Sequence, residues 1–336
     1  MIRVSVNGYS VIGRRIADAV SAQPDMKLVG ISKVKPDYKA RRAFEKGYPV
    51  YALDQKGAAR FIEAGIKVSG IVREMVSQSD VVVDASPEDV GLENKKMYEE
   101  FGKKAIFQGG EEDSTAGFSF VAQCNFERAR GRRYLRVVSC NSTALCRCLN
   151  SLDQGFGVSK ARVVIARRAA DPDEISKGPI DAVVLDPVNI PSHHGPDVNT
   201  VLPNFPVITM AMKVPTTHMH VHAPIVSLKD SSVTTERVIE KFEQTPRLLL
   251  VNSKDGFKST AQLIDYARDL GRPRNDIYEV VIFRDSIKVI DSEVYFFMAV
   301  HQEAIVTPEN IDAIRALCGA ESKEESMLIT NKTLGI

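Results

Sequence analysis

Apolar and polar positions in the first half of the chain follow two alternating periods. Short apolar runs, typical of buried strands, occur at Ile2–Asn7, Lys27–Ser32, Gly65–Ser69, Asp80–Asp84 and Lys104–Phe107. Between several of these runs lie amphipathic patterns of helical period, such as Gly13–Ala22 and Leu92–Phe101. Strand–helix alternation requires crossover connections, so this half of the chain predicts a parallel sheet.

The pattern changes after a last short strand, predicted at Arg136–Ser139. A helix-like segment begins at residue 140, and β-branched runs with few intervening helices follow it. The strand-like segments of this part are Lys213–Val221, Val226–Leu228, Tyr278–Phe283 and Glu293–Val300. Few crossover helices favour a mostly antiparallel or mixed sheet.

The turn after the first strand has the sequence "NGYSVIG". Gly8 would allow a sharp bend, and Gly13 would let the following helix pack closely on the strand. Ser10 stands where dinucleotide-binding loops usually carry another glycine, but its side chain is small enough for phosphates to approach. The helix N-terminus would then offer N–H groups and a positive dipole end to a pyrophosphate. A tight turn without a ligand would contain the same glycines.

The end of the second predicted strand carries no carboxylate. In dinucleotide-binding domains an acid at this position usually binds the ribose hydroxyls. Here Ser32 and Lys33 supply a hydroxyl and a cation, which can accept a 2′-phosphate. The cofactor is therefore expected to be NAD or NADP, with NADP tolerated and a candidate for the preferred one. Alternatively, Lys33 is a solvated surface lysine.

These patterns predict an α/β fold with two domains. Residues 1–139 would form a doubly wound, Rossmann-type parallel sheet that binds the dinucleotide. Residues 140–307 would form an α+β catalytic domain with a mostly antiparallel or mixed sheet. A C-terminal helix at 308–336 would pack back on the first domain.

Composition and charge narrow the range of partners. The chain has 336 residues and a net charge of +1, so it lacks the basic excess expected for binding nucleic acid or an acidic membrane. Its apolar runs are far shorter than the ~20 residues that span a bilayer. Five cysteines in a chain of this length do not suggest a disulfide framework, and a cytoplasmic location is expected. A disulfide joining Cys124 and Cys148 stays open.

The segment "SCNSTALCRC" places Cys140 between a strand end and a helix start. Asn141 and Ser142 are plausible helix caps. A thiol at this position faces the helix dipole, which would lower its pKa and favour the nucleophilic thiolate. Cys146 and Cys148 lie further inside the helical run and are more typical of core residues.

Five of the six histidines are clustered, at "SHHG" and "TTHMHVH". Alternation along a strand would place His218, His220 and His222 on one face. Such a face could bind zinc, but no carboxylate or cysteine lies at ligand spacing, and a metal is not expected. One of these histidines could instead serve as the general base beside Cys140.

The sequence resembles the archaeal-type glyceraldehyde-3-phosphate dehydrogenases along its whole length. The matching segments are "VNGYSVIGRR", "SKVKPDY", "FQGGE", "SCNSTALCR", "RRAADP", "PSHHGPDV", "KVPTTHMHVH" and "HQE". The resemblance implies a reversible, phosphorylating oxidation of glyceraldehyde 3-phosphate to 1,3-bisphosphoglycerate with NAD(P), through a thioester. It also implies a homotetramer.

The resemblance also implies roles for individual residues. Cys140 would be the nucleophile, with Ser139 and Asn141 flanking the substrate. The base would be His220, with His218 as its close competitor. The residues that would hold the substrate phosphate are His193, His194 and Gly195. The residues that would meet the cofactor are Val11, Ile12, Gly110, Arg168 and Gln302.

This chemistry requires two anion sites, one for the substrate phosphate and one for inorganic phosphate. Arg167 and Arg168 are candidates for these sites, together with His193 and His194. The acidic residues of the same segment are Asp171, Asp173 and Glu174. Because carboxylates repel phosphate, we expect them to point away or to serve a subunit contact.

Three other functions fit parts of the sequence. A cysteine-dependent semialdehyde dehydrogenase, of the aspartate-semialdehyde or N-acetyl-glutamyl-phosphate type, would share the two-domain plan but require an arginine clamp for its carboxylate. A non-catalytic cofactor-binding module would leave Cys140 inert. A metal hydrolase would use the histidine strand.

Overall fold

A computed structural model of the chain describes residues 1–170, 175–320 and 322–336. The described chain forms two compact units. Unit 1 comprises Met1–Val138 and Thr307–Ile336, and unit 2 comprises Ser139–Val306. Asp171, Asp173 and Glu174, whose carboxylates are predicted to point away from the phosphates or to serve a subunit contact, lie outside the described residues.

Unit 1 contains one sheet in which every strand pair is parallel. Its strands are β1 (Ile2–Asn7), β2 (Met26–Lys33), β3 (Val50–Ala52), β4 (Gly70–Ile71), β5 (Val81–Asp84), β6 (Lys104–Phe107), β7 (Ser119–Phe120) and β8 (Tyr134–Val137). The order across the sheet is β4-β3-β2-β1-β5-β6-β8-β7. The strand order reverses direction between β1 and β5, which is the position where such sheets bind ligands.

Helices connect these strands. They are α1 (Val11–Ala22), α2 (Tyr38–Glu45), α3 (Gln55–Glu63), α4 (Val72–Ser77), α5 (Val90–Glu100), α6 (Asp113–Ala116) and α7 (Ala122–Ala129). The buried face of α1 contains Ile16, Ala17 and Val20, the stripe that its helical period indicates. Apolar side chains from strands and helices, among them Met75, Tyr98 and Phe107, form a continuous core in this unit.

Unit 2 contains a mixed sheet. Its strands are β9 (Val158–Arg168), β10 (Val184–Leu185), β11 (Val207–Val214), β12 (His220–Leu228), β13 (Leu248–Val251), β14 (Val280–Phe283), β15 (Lys288–Ile290), β16 (Glu293–Tyr295) and β17 (Met298–Val300). The main order is β10-β11-β9-β12-β17-β14-β13, with β16 paired to β12 and β15 to β16. The pairs β9/β11 and β13/β14 are parallel and the others are antiparallel.

Among the described residues of unit 2, one helix precedes β9 in sequence and three lie between later strands. They are α8 (Cys140–Phe156), α9 (His194–Val201), α10 (Thr235–Glu243) and α11 (Thr260–Asp269). Short 3₁₀ turns occur at Ile175–Lys177, Ser253–Asp255, Pro273–Asn275 and Arg284–Ser286. Residues of α8 contact strands β9, β12 and β17, so this helix covers the central strands of the sheet.

The C-terminal segment forms two helices, α12 (Val306–Leu317) and α13 (Lys323–Leu334). Arg315 joins them to the start of the chain, because its guanidinium bonds to both carboxylate oxygens of Asp25 at 2.8 Å. The side chain of Gln23 also donates to Thr333, at 2.8 Å. The last turn of helix is therefore fixed to the segment that precedes β2.

The predicted α/β class is confirmed, with a parallel sheet followed by a mixed one. The predicted strand Gly65–Ser69 is wrong, because that segment is irregular and the strand lies at Gly70–Ile71. The apolar signal came from Ile66, which is buried without belonging to a strand. The predicted strand Lys213–Val221 is interrupted, since β11 ends at Val214 and β12 begins at His220.

Candidate active site and phosphate loop

The turn between β1 and α1 has the geometry of a phosphate loop. Gly8 has a φ of +103°, and a Cβ there would lie 2.5 Å from the carbonyl oxygen of Ala85. A Cβ on Gly13 would lie 1.9 Å from the carbonyl oxygen of Gly8. Both positions therefore require glycine. Ser10 occupies the N-cap position of α1 without a capping side-chain bond, and the first turn contains no acidic residue.

A buried network of side chains supports this loop from below. The backbone N–H of Gly8 donates to the hydroxyl of Ser32 at 2.9 Å, and that hydroxyl donates to Asn7 Oδ1 at 2.6 Å. Asn7 in turn donates to the hydroxyl of Tyr98, which donates to Asp84, at 2.7 and 2.6 Å. Because the Ser32 hydroxyl donates its proton to Asn7, it has none left to donate to the predicted 2′-phosphate, although Ser32 lines the adjoining cavity.

A cavity of about 420 Å³ lies beside the loop, within unit 1. Gly8, Ser10 and Lys33 contribute to its lining, together with residues 85–87, which follow β5. The lining residues described for this cavity include Lys33 and Lys35 but no aspartate or glutamate. A pocket with cations, backbone N–H groups and a required glycine turn suits a phosphorylated ligand.

Cys140 is the first residue of α8. The N-cap is Ser139, whose hydroxyl accepts a hydrogen bond from the backbone N–H of Ser142 at 3.3 Å. The predicted caps, Asn141 and Ser142, are wrong by two or three residues, because both already lie in the helix. Cys140 is partly exposed, whereas Cys146 and Cys148 on the same helix are buried.

The surroundings of the Cys140 sulfur oppose the predicted thiolate. Burial raises the pKa of the Cys140 thiol to about 12, although the charges of Arg167 and Arg168 and the N–H of Asn141 act to lower it. The carboxylate of Glu303 acts in the raising direction. At neutral pH the sulfur is therefore protonated, and its activation requires a neighbouring group that stabilises developing negative charge.

His220 lies at the start of β12 and is buried. Its Nδ1 accepts a hydrogen bond from the backbone N–H of Arg168 at 2.9 Å. A backbone N–H can only donate, so the neutral ring must carry its proton on Nε2. That Nε2 is buried and has no hydrogen-bond partner in the described part of the chain. Because unsatisfied buried donors are rare, this N–H is a candidate contact for substrate.

His218 does not share the face of His220. It is exposed and precedes β12, and the intervening Met219 has a φ of +61°. The predicted alternation of three histidines on one face therefore holds for His220 and His222 only. The strand period fails because the backbone turns at Met219.

Asn141 links two further buried histidines. Its amide nitrogen donates to His194 Nε2 at 3.1 Å, and its Oδ1 accepts from His222 Nε2 at 2.8 Å. His194 Nδ1 is 3.0 Å from the hydroxyl of Ser192, which bonds to Thr209 at 2.8 Å. These bonds hold the side chain of Asn141, the residue next to Cys140, in one orientation.

Two arginines at the end of β9 complete the group. Arg167 forms an ion pair with Asp186, and its Nε is buried with no hydrogen-bond partner among the described residues. Arg168 is buried and donates to Glu303 at 2.6 Å and to Gln302 at 2.5 Å. The charge of Arg167 lowers the pKa of Cys140 and of the buried histidines alike, so these groups share one electrostatic environment.

Known proteins resemble this chain along its whole length. The protein-family model described as glyceraldehyde 3-phosphate dehydrogenase, C-terminal domain, matches residues 139–283 of the sequence. Proteins named glyceraldehyde-3-phosphate dehydrogenase are similar to it in several archaea. The one from Methanoregula boonei is 53% identical over 99% of this chain and 97% of its own length. The one from Pyrobaculum neutrophilum is 54% identical with the same coverage.

A third relative, from Methanothermus fervidus, is 48% identical over 100% of this chain and 99% of its own length. The chain belongs to the glyceraldehyde-3-phosphate dehydrogenase family. It is therefore an oxidoreductase of the phosphorylating aldehyde dehydrogenase type, and members of this family use a nicotinamide dinucleotide. Membership favours this activity over the semialdehyde dehydrogenases, the non-catalytic module and the metal hydrolase.

The structure brings some of the predicted substrate residues of this dehydrogenase together and hides others. Asn141, His194 and Gly195 are buried, and Gly195 donates its N–H to Thr209 at 2.9 Å. Their predicted contacts with substrate or phosphate conflict with this burial, since their polar groups are already bonded internally. Ser139 and His193 are at least partly exposed. They remain predicted substrate contacts.

The predicted cofactor residues divide between the two units. Those in unit 1 are Gly8, Val11, Ile12, Gly13, Lys33 and Gly110. Gly8 and Lys33 line the cavity described above, and Gly110 lies exposed after β6. Arg168 and Gln302 belong to unit 2 and bond to each other. The burial of Arg168 against Glu303 leaves Gln302 as the more accessible of the pair.

Sequence reasoning missed several residues of the site. Glu303 neutralises Arg168 and also contacts His301, whose Nε2 is 3.1 Å away. A buried arginine needs a carboxylate, so the acid in the "HQE" segment was the available signal. Thr209 and Ser192 gave weaker signals, because a single hydroxyl in an apolar strand or loop is common.

The described residues contain no helix long and apolar enough to cross a membrane. Their five cysteines form no disulfide, so the open pairing of Cys124 with Cys148 does not occur.

Acid should destabilise this dehydrogenase through its buried histidines. Burial, the largest cause, lowers the pKa of His194 to about 2 and of His222 to about 3, whereas unfolded histidines titrate near ~6.5. Below pH ~6.5 the unfolded chain binds more protons than the folded one. The contribution of these histidines to the free energy of unfolding is therefore fully present above that pH. On acidification below it, the free energy of unfolding falls by about 1.4 kcal/mol per pH unit for each histidine.

Urea unfolding at pH 7, 6, 5 and 4 measures this slope. His222→Gln keeps a donor for Asn141 but removes one titrating ring, so its slope should be shallower by about 1.4 kcal/mol per pH unit. Identical slopes for the variant and the unchanged protein would contradict the assignment of a neutral buried His222.

Proposed function

We propose that the chain catalyses the reversible, phosphorylating oxidation of D-glyceraldehyde 3-phosphate to 1,3-bisphosphoglycerate with NAD or NADP. The proposal depends chiefly on one observation. A partly exposed cysteine at the first position of α8 and a buried imidazole whose Nε2 has no partner in the described chain are both within the influence of the charges of Arg167 and Arg168. The archaeal relatives with that activity in their names support the choice of substrate.

The phosphate loop fits a nicotinamide dinucleotide. The turn forced on Gly8 and Gly13 and the first N–H groups of α1, including those of Val11 and Ile12, would hold its pyrophosphate. Lys33 would lie near the adenosine ribose. The cavity lining described here has no carboxylate, so NADP would be tolerated, although Lys33 itself is paired with Asp37 outside that lining. When bound, the dinucleotide accepts the hydride that leaves the substrate.

Cys140 forms the covalent bond to substrate. Its sulfur adds to the aldehyde carbon, and the thiol proton passes to the carbonyl oxygen, which gives a hemithioacetal. Loss of hydride from the carbon, and of the hydroxyl proton to solvent, leaves a thioester on Cys140. Inorganic phosphate then attacks the thioester carbonyl, the carbon–sulfur bond breaks, and the acyl phosphate departs as the thiol re-forms.

His220 stabilises charge on the reacting oxygen. With Nδ1 held by the N–H of Arg168, the ring presents its Nε2 proton, and a donor at this point stabilises the oxygen as sulfur attacks. The resemblance implies that His220 is the base, and that role stays a prediction. A ring bonded in this way has no lone pair at Nε2, so it is set up to donate a proton and not to accept one. Arg167 would bind a phosphate, because its Nε–H has no partner in the described chain.

The mixed sheet of unit 2 supports self-association, and we propose the homotetramer that the resemblance implies. Its outer face carries Val164, Ile208 and Met210, which are 38%, 43% and 45% exposed. Val164 and Met210 are direct neighbours on β9 and β11. Contiguous apolar surface of this kind usually marks an interface, and sedimentation at several concentrations tests it. A cytoplasmic location is proposed from the cysteine content.

An assay with glyceraldehyde 3-phosphate tests the proposed function. Reduced cofactor should accumulate steadily only when phosphate or arsenate is present, because the thioester must be released. Without either anion, formation should stop after about one equivalent per chain. Equal steady rates with and without phosphate would show a non-phosphorylating oxidation and contradict the proposal, as would the absence of any cofactor reduction.

A further inference from the structure

Lys33, the last residue of β2, forms an ion pair at the edge of the cavity beside the phosphate loop. Its Nζ lies 2.9 Å from Oδ2 of Asp37, with the two side chains 15% and 36% exposed. Lys33 lines the cavity, whereas Asp37 precedes α2. The cation that the sequence offers to a 2′-phosphate is therefore already paired with a carboxylate.

The two oxygens of Asp37 have separate partners. Oδ1 caps α2 by accepting from the backbone N–H groups of Lys39 and Ala40, at 3.0 and 3.1 Å. Oδ2 makes the ion pair with Lys33. Asparagine caps helices about as well as aspartate does. An amide at position 37 would thus keep the helix start and remove the charge.

We propose that Asp37 is a specificity-determining residue that disfavours a 2′-phosphorylated dinucleotide. A 2′-phosphate that approaches Lys33 must compete with Asp37 for the same ammonium group and also meets the carboxylate's negative charge. A dinucleotide with a free 2′-hydroxyl meets neither obstacle. The inference depends on the proposed function, because it takes the cavity to be the dinucleotide site.

The expected size of the effect follows from the exposure of the pair. Ion pairs near the surface are weak and screened by salt, so removal of the carboxylate should change affinity several-fold and not by orders of magnitude. NADP should bind roughly 3- to 10-fold more tightly to Asp37→Asn, while the affinity for NAD stays within about twofold. The gain should shrink at about 0.5 M salt.

Titration calorimetry with NAD and with NADP measures both dissociation constants without catalysis. Lys33→Met should weaken NADP binding. When Asp37→Asn is added to Lys33→Met, the gain in NADP affinity should be smaller than the gain that Asp37→Asn alone gives, because the ion pair is already broken. Melting curves check that each variant folds. Asp37→Ser, which also keeps a capping oxygen, serves as a second variant.

Two results would overturn the inference: a ratio of NAD to NADP dissociation constants that Asp37→Asn leaves unchanged, or NADP binding that becomes weaker. Either result, with both dinucleotides still bound by the unchanged protein, would remove only the role of Asp37. Failure of the unchanged protein to bind either dinucleotide would instead remove the proposed function, and this inference with it.

Discussion

Replacement of Cys140 by serine is expected to abolish aldehyde oxidation, lowering kcat/KM by on the order of 10⁵-fold. Serine keeps the shape of the first residue of α8 and the cap at Ser139. Its hydroxyl, however, is a far weaker nucleophile than sulfur and a poorer leaving group from the acyl intermediate. The measurement is the initial rate of cofactor reduction, together with mass spectrometry of the acylated chain.

Cys318→Ser provides the matched control. Cys318 is also partly exposed, but it lies after α12 in unit 1 and its loss should leave the rate within about twofold. Dinucleotide binding by Cys140→Ser should be retained, which separates a chemical defect from a folding defect. Activity of Cys140→Ser within tenfold of the unchanged protein would exclude the thioester route.

Some strands could be predicted to the residue. Ile2–Asn7 and Lys104–Phe107 occur in the structure with the predicted bounds, because each is a buried apolar run with a clear end. β3, at Val50–Ala52, and β4, at Gly70–Ile71, were missed or misplaced. They are two or three residues long and lie toward one edge of the sheet, so neither leaves a periodic signal.

The ionisation of Cys140 could not be predicted from its position at a helix start. A helix dipole is worth about 0.3–1 kcal/mol, less than one pKa unit, whereas burial can shift a pKa by several units. Burial depends on which elements cover the thiol, and sequence does not give that. The two effects have opposite signs, and the larger one raises the pKa of Cys140 to about 12.

The histidine network shows a similar limit. The strand period correctly places His220 and His222 on one face, and that face is buried in the structure. They do not show that Asn141 joins His222 to His194, because these contacts connect residues far apart in the chain. The resemblance therefore indicated which side chains gather, but gave a substrate contact to Asn141 and a phosphate contact to His194, and both side chains bond internally.

Variants of His220 should separate its possible roles. His220→Asn places Oδ1 where Nδ1 was, so it can still accept from the N–H of Arg168, but it has no group at the Nε2 position. Loss of one donor to a developing oxyanion typically costs about 10²- to 10³-fold in kcat, and we expect a loss of that size. Initial rates at saturating substrate measure it.

His220→Gln is the decisive comparison. Its amide N–H₂ reaches about where Nε2 lies and can donate to the substrate oxygen, but an amide takes up no proton near neutral pH. If His220 acts as a donor, glutamine should keep activity within roughly tenfold, well above asparagine. Glutamine as inactive as asparagine would instead restore the base role. His218 is exposed, so the His218→Gln variant should keep a rate within about twofold of the unchanged protein. If His218→Gln were inactive while His220→Gln stayed active, His218 would be the base. Because Arg168 fixes the proton on Nε2, we expect the donor outcome.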